Sequence, residues 1–247
     1  MFYTYKDVKV YYEKIGEGIP FIFLHGWGCS SDIFKVVAKD IVDKYSVYLI
    51  DFPGFGKSVE PDYLIDVKEM AHMLKAFISD LDIEAPIIVG HSYGGRVAAE
   101  YASRFNCINK LILIDSAGIK RFNIKKSIKV FIYKFKKWFY RITKKLMKYN
   151  ELLLNSGSND YVNSSPIQKI MLINAVNYDQ KHIFKRIKCE TLIIWGVNDV
   201  TTPIKDGKKI YRLIKNSELV VIPDAGHFPF VENYNYFIKV LKSFLEV

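Results

Sequence analysis

Pro86-Ile87-Ile88-Val89-Gly90-His91-Ser92-Tyr93-Gly94-Gly95-Arg96-Val97-Ala98-Ala99-Glu100-Tyr101-Ala102 reads as an apolar strand that turns within one residue into a helix. A strand that turns so abruptly forces the turn residue, Ser92, into a strained backbone conformation and lifts its hydroxyl clear of the sheet. Gly90 and Gly94 flank it because a side chain at either place would strike the neighbouring strand or helix. The helix begins at the serine, so its free N–H groups and positive dipole end face any oxyanion formed there. G-x-S-x-G by itself is a moderate signal; a strand before it and a helix after it make it a strong one.

Outward from this junction the chain alternates. Two β-rich stretches, Phe2–Lys6 and Val8–Ile15, read as an antiparallel entry pair ended by Gly16-Glu17-Gly18. Strands are then predicted at Phe21–Leu24, Ser46–Ile50, Ile87–Val89, Leu111–Ile114, Thr191–Trp195 and Leu219–Ile222, and helices at Ile33–Val42, Asp66–Leu81, after Ser92, Ile204–Ile214 and Phe237–Leu245. Short apolar strands alternating with helices mean an α/β protein with a mostly parallel sheet covered on both faces. The stretch from about Ala117 to Phe184 breaks the rhythm. Ile128, Phe131, Ile132, Phe135, Trp138, Phe139, Ile142 and Leu146 recur at three- and four-residue steps, as one face of a helix with lysines around the rest, and Ile167–Val176 reads as a second helix. An insertion between two strands is placed most simply as a cap over their carboxyl ends, where ligands bind in such sheets.

A serine hydroxyl needs a base to take its proton, and the base needs an acid to hold its tautomer. His227, in Ala225-Gly226-His227-Phe228-Pro229-Phe230, and Asp199, in Trp195-Gly196-Val197-Asn198-Asp199, each follow a predicted strand. Asp115, at the end of Leu111–Ile114, is the rival acid, and the segment around Asp199 makes that residue the better match. His25-Gly26-Trp27-Gly28 follows the strand Phe21–Leu24, and its glycines let an N–H point inward; the backbone N–H groups of Trp27 and Tyr93 are the expected oxyanion donors. His72 and His182 lie in helix-like stretches with no partner pattern, and His91 belongs to the turn itself.

With Asp51-Phe52-Pro53-Gly54-Phe55-Gly56-Lys57-Ser58 added to these motifs, the chain resembles the α/β-hydrolase fold family along nearly its whole length. The resemblance implies an eight-stranded, mostly parallel sheet flanked by helices, with a core of residues 1–116 and 185–247 and a helical cap of residues 117–184 after the sixth strand. It implies the order Ser92, Asp199, His227 for the catalytic residues, no catalytic role for the Asp51 loop, and an acyl-enzyme mechanism without metal or organic cofactor. Serine at the nucleophile position argues against the family's epoxide hydrolases and haloalkane dehalogenases, which carry aspartate there. The implied substrate is a small carboxylic ester with an apolar acyl or aryl group. A C–C bond hydrolase or lyase acting on an acidic diketone is the alternative, and a non-catalytic binding protein on the same fold is the alternative of another class. Arg96 is similar to an arginine that helps with an acidic substrate in the menaquinone-pathway lyases of this fold, and Trp138 and Phe228 are the other substrate contacts expected.

Composition bounds the remaining choices. The 247 residues carry a net charge of +10, and twelve basic residues without one acid lie between Lys120 and Lys148, so the rest of the chain is close to neutral. The basic balance is therefore a property of one segment, not a nucleic-acid footprint, and no recognition motif accompanies it. Ser127–Lys148 has the pattern of a helix able to touch an anionic membrane surface, or to pack its apolar stripe over the site with its lysines solvated. No stretch reaches the ~18 uninterrupted apolar residues of a membrane span. Met1–Asp7 lacks the pattern of a secretory signal, which points to a cytoplasmic protein. Cys29, Cys107 and Cys189 have no metal-ligand spacing and read as reduced thiols. H-E-x-x-H, paired C-x-x-C, Walker and dinucleotide fingerprints are absent from the sequence. Oligomeric state has no sequence signal.

Overall fold

The computed structural model describes residues 1–121 and 159–246. The entry pair is β1 (Phe2–Tyr5) and β2 (Val8–Ile15), antiparallel with Tyr5 opposite Val8. Lys6 and Asp7 make the turn with φ of 44° and 67°, the left-handed pair that a two-residue hairpin requires. Six further strands follow: β3 (Ile19–Leu24), β4 (Tyr45–Ile50), β5 (Ile87–His91), β6 (Lys110–Ile114), β7 (Glu190–Gly196) and β8 (Ser217–Ile222). The sheet order is β1-β2-β4-β3-β5-β6-β7-β8. β2 runs antiparallel to β4, and every later neighbour pair is parallel.

Strand residues alternate between two cores, as period-2 geometry demands. Ile22, Leu24, Ile88, Leu111 and Leu113 face α2 (Val67–Asp80) and α3 (Tyr93–Phe105), which contribute Met70, Leu74, Phe77, Val97 and Tyr101. Phe21, Phe23, Val89, Ile112 and Ile114 face the other way, onto Phe34, Val37, Phe237 and Leu241. Those four come from a 3₁₀ turn at Ser31–Phe34, α1 (Lys35–Lys39) and the closing helix Tyr234–Leu245. Each such side chain taken from water stabilises the fold by roughly 1.5–3 kcal/mol. Because the sheet is covered on both faces, its functional edge is the one left open, at the strands' carboxyl ends.

Two elements depart from the sequence expectation. The helix expected over Ile33–Val42 is a 3₁₀ turn followed by the short α1, ending at Lys39. Tyr45 must lie beside Ile19 to start β4, so Asp40–Lys44 turns back instead of continuing the helix. Gly16 permits that close return: a Cβ there would lie 2.6 Å from the Tyr45 carbonyl oxygen and 2.7 Å from that of Val42. The closing helix starts at Tyr234, three residues before Phe237. α2 agrees closely, with Asp66 accepting from the N–H groups of Lys68 and Glu69 as its N-cap.

Between β6 and β7 the described residues form α4 (Asn159–Val162), α5 (Pro166–Asn177) and α6 (Lys181–Phe184). α5 contains the expected helix Ile167–Val176 and opens on a capping box of Ser165 and Gln168. Its Met171 and Ala175 are buried, and Gln168 Nε2 donates to the Gly54 carbonyl at 2.6 Å, so the helix sits on the loop after β4. The amphipathic stretch Ser127–Lys148, with Trp138, lies outside the described residues. α7 (Ile204–Leu213) follows β7, and α8 (Pro229–Glu232) and the closing helix α9 (Tyr234–Leu245) follow β8. No helix among the described residues is long and apolar enough to cross a membrane.

Candidate active site

Ser92 joins β5 to α3 with φ 50° and ψ −108°, a strained conformation for a residue with a side chain. The strain is held by packing from all sides. A Cβ on Gly90 would lie 2.5 Å from the Gly94 carbonyl oxygen, and one on Gly94 would strike the Leu24 carbonyl. Ser92 N donates to Ile114 O, and Ala117 N donates to Ser92 O, each at 3.0 Å, so β6 and its exit hold the turn in register.

His227 and Asp199 come to this serine from the loops after β8 and β7. His227 Nε2 lies 3.0 Å from Ser92 Oγ, and His227 Nδ1 lies 2.7 Å from Asp199 Oδ2. Asp199 is wholly buried at its side chain, while the His227 side chain keeps 16% exposure. Burial pushes the Asp199 carboxyl up, but hydrogen bonds from His227 and Thr202 outweigh it and hold the group down at about 2. Its Oδ1 accepts the N–H groups of Thr201 and Thr202 at 2.7 and 2.9 Å, and the Thr202 hydroxyl lies 2.6 Å from Oδ2. An ionised carboxylate fixed in this way keeps the Nδ1 proton facing it and leaves Nε2 free to accept from the serine.

The loop after β3 closes the other side. A Cβ on Gly26 would lie 3.4 Å from Ser92 Cβ, which brings Trp27 beside the serine, and the Trp27 and Tyr93 rings meet edge to face at 5.1 Å. Neither the Trp27 nor the Tyr93 N–H has a hydrogen-bond partner among the described residues. His25 anchors this loop. Its Nε2 accepts from Phe52 N at 3.0 Å, which leaves the proton on Nδ1 to donate to Gly26 O at 2.7 Å. Burial holds its imidazole down at about 4, so it stays neutral.

Three positioning contacts have little or no signature in sequence. His91 Nε2 donates to the His227 carbonyl at 2.7 Å. Glu232 grips both sides of His227: Gly226 N donates to Oε2 at 2.6 Å and Phe228 N to Oε1 at 2.9 Å. Only the third, Thr202, had a local clue, since a hydroxyl three residues after an aspartate is a common capping partner.

The expected substrate residues are dispersed. Phe228 stacks near His91 at 4.9 Å and His227 at 5.4 Å. Arg96 is buried, and its Nη1 donates to Tyr178 O at 2.9 Å and reaches Gln180 Oε1 at 3.4 Å. Gln180 Nε2 returns a bond to Arg96 O at 2.9 Å, and Tyr178 OH donates to Glu100 at 2.9 Å. The guanidinium thus ties the return of the inserted stretch to α3. Trp138 lies outside the described residues. Asp115, the rival acid, is buried with Oδ1 accepting from Gly196 N at 3.0 Å, and no bond joins it to His227. Asp51 accepts from Ser31 N and Lys57 N at 2.7 and 2.8 Å and staples its loop.

Comparison with known proteins agrees with this architecture. The model of the alpha/beta hydrolase family matches residues 21–239. A pimeloyl-[acyl-carrier protein] methyl ester esterase of Legionella pneumophila is 24% identical over 97% of this chain and 100% of its own length. A 2-hydroxy-6-oxo-6-(2'-aminophenyl)hexa-2,4-dienoic acid hydrolase of Metapseudomonas resinovorans is 25% identical over 96% of this chain and 88% of its own. Among solved structures, a thermophilic esterase from Thermogutta terrifontis superposes with a TM-score of 0.73 at 22% identity, covering 97% of this chain and 93% of that one.

Proposed function

From the premise that the chain belongs to the alpha/beta hydrolase family, we propose that it is a serine hydrolase that cleaves a small carboxylic ester with an apolar acyl or aryl group. The observation that carries this reading is the line Ser92 Oγ, His227 Nε2, His227 Nδ1, Asp199 Oδ2, with contacts of 3.0 and 2.7 Å at its two ends. Ser92 attacks the ester carbonyl as His227 takes its proton, and Asp199 steadies the imidazolium. The carbonyl oxygen, now negative, is met by the N–H groups of Trp27 and Tyr93 at the start of α3. His227 then protonates the leaving alcohol, and water, activated by the same imidazole, frees the acyl group.

In this reading residues 117–184 form the cap that shapes the pocket, with Phe228 and Trp138 as apolar walls. Arg96 is assigned to fastening residues 178–180, because its Nη1 is engaged there. Water and a hydroxyl nucleophile suffice for the chemistry, so no cofactor enters the mechanism.

The test is hydrolysis of p-nitrophenyl esters from acetate to decanoate by the wild type and Ser92→Ala, with mass spectrometry after a fluorophosphonate probe. A single adduct on Ser92, and turnover falling in the variant by roughly 10³-fold or more, are expected. Adduct formation without ester turnover would favour the second reading, C–C cleavage of an acidic dienoic diketone. That reading draws on the Metapseudomonas resinovorans relative and is read directly by loss of the conjugated substrate's absorbance.

A further inference from the structure

Behind the histidine lies a carboxyl group for which the mechanism has no use. Asp115 follows β6 with φ 42°, and its side chain is fully buried. One oxygen of Asp115, one of Asp199 and one nitrogen of His227 all lie within 4.8 Å of one another. Two carboxylates so close in a buried site do not both ionise when, among the described residues, one imidazole is the basic group within 4.8 Å of both. The donors decide which of the two keeps the charge. Asp199 is offered the N–H groups of Thr201 and Thr202, the Thr202 hydroxyl and His227. Among the described residues Asp115 is offered one, Gly196 N on Oδ1, and its Oδ2 accepts from no donor. An oxygen buried without a donor is costly as a carboxylate and satisfied as a hydroxyl.

We propose that Asp115 is held as a neutral carboxylic acid whose Oδ2–H is donated to Asp199, making it a positioning residue for the Asp199–His227 pair. The groups around it agree. Asp199 and Glu232 face it with negative charge; around Asp199 stand His227 and His91, and Asp206 with its own partners Arg121, ion-paired at 3.2 Å, and Lys209. Burial first, and then Asp199, push its carboxyl up to about 9, against the single Gly196 bond that pulls it down. In the reaction this donor would keep Asp199 weakly basic, so that it orients His227 without drawing the proton off Nδ1. The inference rests on the triad reading for that consequence only; the protonation state itself can be read without turnover.

The experiment is the infrared difference between the wild type and Asp115→Asn at pH 7.5, with ¹³C-carboxyl aspartate NMR on the same pair. Asparagine keeps an acceptor for Gly196 and a donor for Asp199. The wild type is expected to show one carbonyl stretch of a neutral carboxylic acid that the variant lacks. If the variant loses only carboxylate bands, Asp115 is ionised and the proposal is overturned. Asp115→Leu, which removes the donor, should move the Asp199 carboxyl titration upward by about one unit. A folded leucine variant with an unmoved Asp199 would reduce Asp115 to packing and also overturn it. Neither readout needs a substrate, so failure of the esterase reading is distinguishable from failure here.

Discussion

Replacing Asp115 by asparagine should stabilise the protein, and by more the higher the pH. In the unfolded chain the carboxyl titrates at its ordinary 3.8; in the fold, burial moves it up to about 9. Between those values folding takes up one proton, which costs about 1.4 kcal/mol for each pH unit. Because the folded value is the raised one, the contribution of the carboxyl is fully present below pH 3.8 and is lost as pH climbs toward 9. The cost reaches about 4 kcal/mol at pH 7 and is between about 1 and 2 kcal/mol at pH 5. Asparagine takes up no proton and keeps the bond to Gly196, so the variant escapes this cost. Urea unfolding of both proteins at pH 5, 6, 7 and 8, followed by far-ultraviolet circular dichroism, should give a stability gap that widens by about 1.4 kcal/mol per unit. A gap that stays constant with pH, or a wild type that is the more stable protein at pH 8, would refute the reasoning.

Asp199→Asn acts in the opposite sense. The wild-type group is held down at about 2 from 3.8, so its contribution, about 2 kcal/mol at pH 7, is lost as pH falls from 3.8 toward 2; the variant should show a flatter acid unfolding profile. Its ester turnover should fall by roughly 10⁴-fold, because an amide can hold the imidazole in the wrong tautomer. Glu232→Gln leaves one acceptor for two backbone donors beside His227; it should lower kcat about tenfold with little change in KM, and an equal loss confined to KM would contradict the clamp. Gly90→Ala drives a Cβ into the Gly94 carbonyl and should cost about 3 kcal/mol or more in chemical denaturation, whereas a stability near wild type would mean the turn is not tightly packed.

Whatever depends on neighbours in sequence was readable without coordinates. The Ser92 turn needs only a strand, a glycine on either side and a helix, all within 17 residues, and β5 and α3 stand there. The positions of Asp199 and His227 after strands were likewise legible, because strands and their order are written in short apolar runs. Distances between them were not, since these depend on how β7 and β8 pair across the sheet. The same holds for the grip of Glu232, which requires α8 to turn back on the His227 loop, and for the bond from His91 to the His227 carbonyl, made across 136 positions. Asp115 is the extreme case: sequence offers an aspartate at a strand end, and only a count of donors around two buried carboxyls tells which one holds the proton. Arg96 was open to two readings, since a charge one turn beyond the serine suits a substrate or a structural bond equally, and the contact with the Tyr178 carbonyl depends on a residue 82 positions away.

The inserted stretch leaves and re-enters the sheet through a narrow neck. Gln180 N donates to Gly118 O at 2.8 Å, and Ala117 N is bound to Ser92 O. The two legs are therefore stitched to each other and to the serine turn before the chain between them begins. A segment tethered at so closed a base can be exchanged or lengthened at small thermodynamic cost, about 0.6 kcal/mol for each doubling of a flexible loop. If residues 117–184 are the cap proposed above, a graft between Arg121 and Asn159 is the natural route to altering what the protein accepts while the Ser92 turn and its partners keep their spacing.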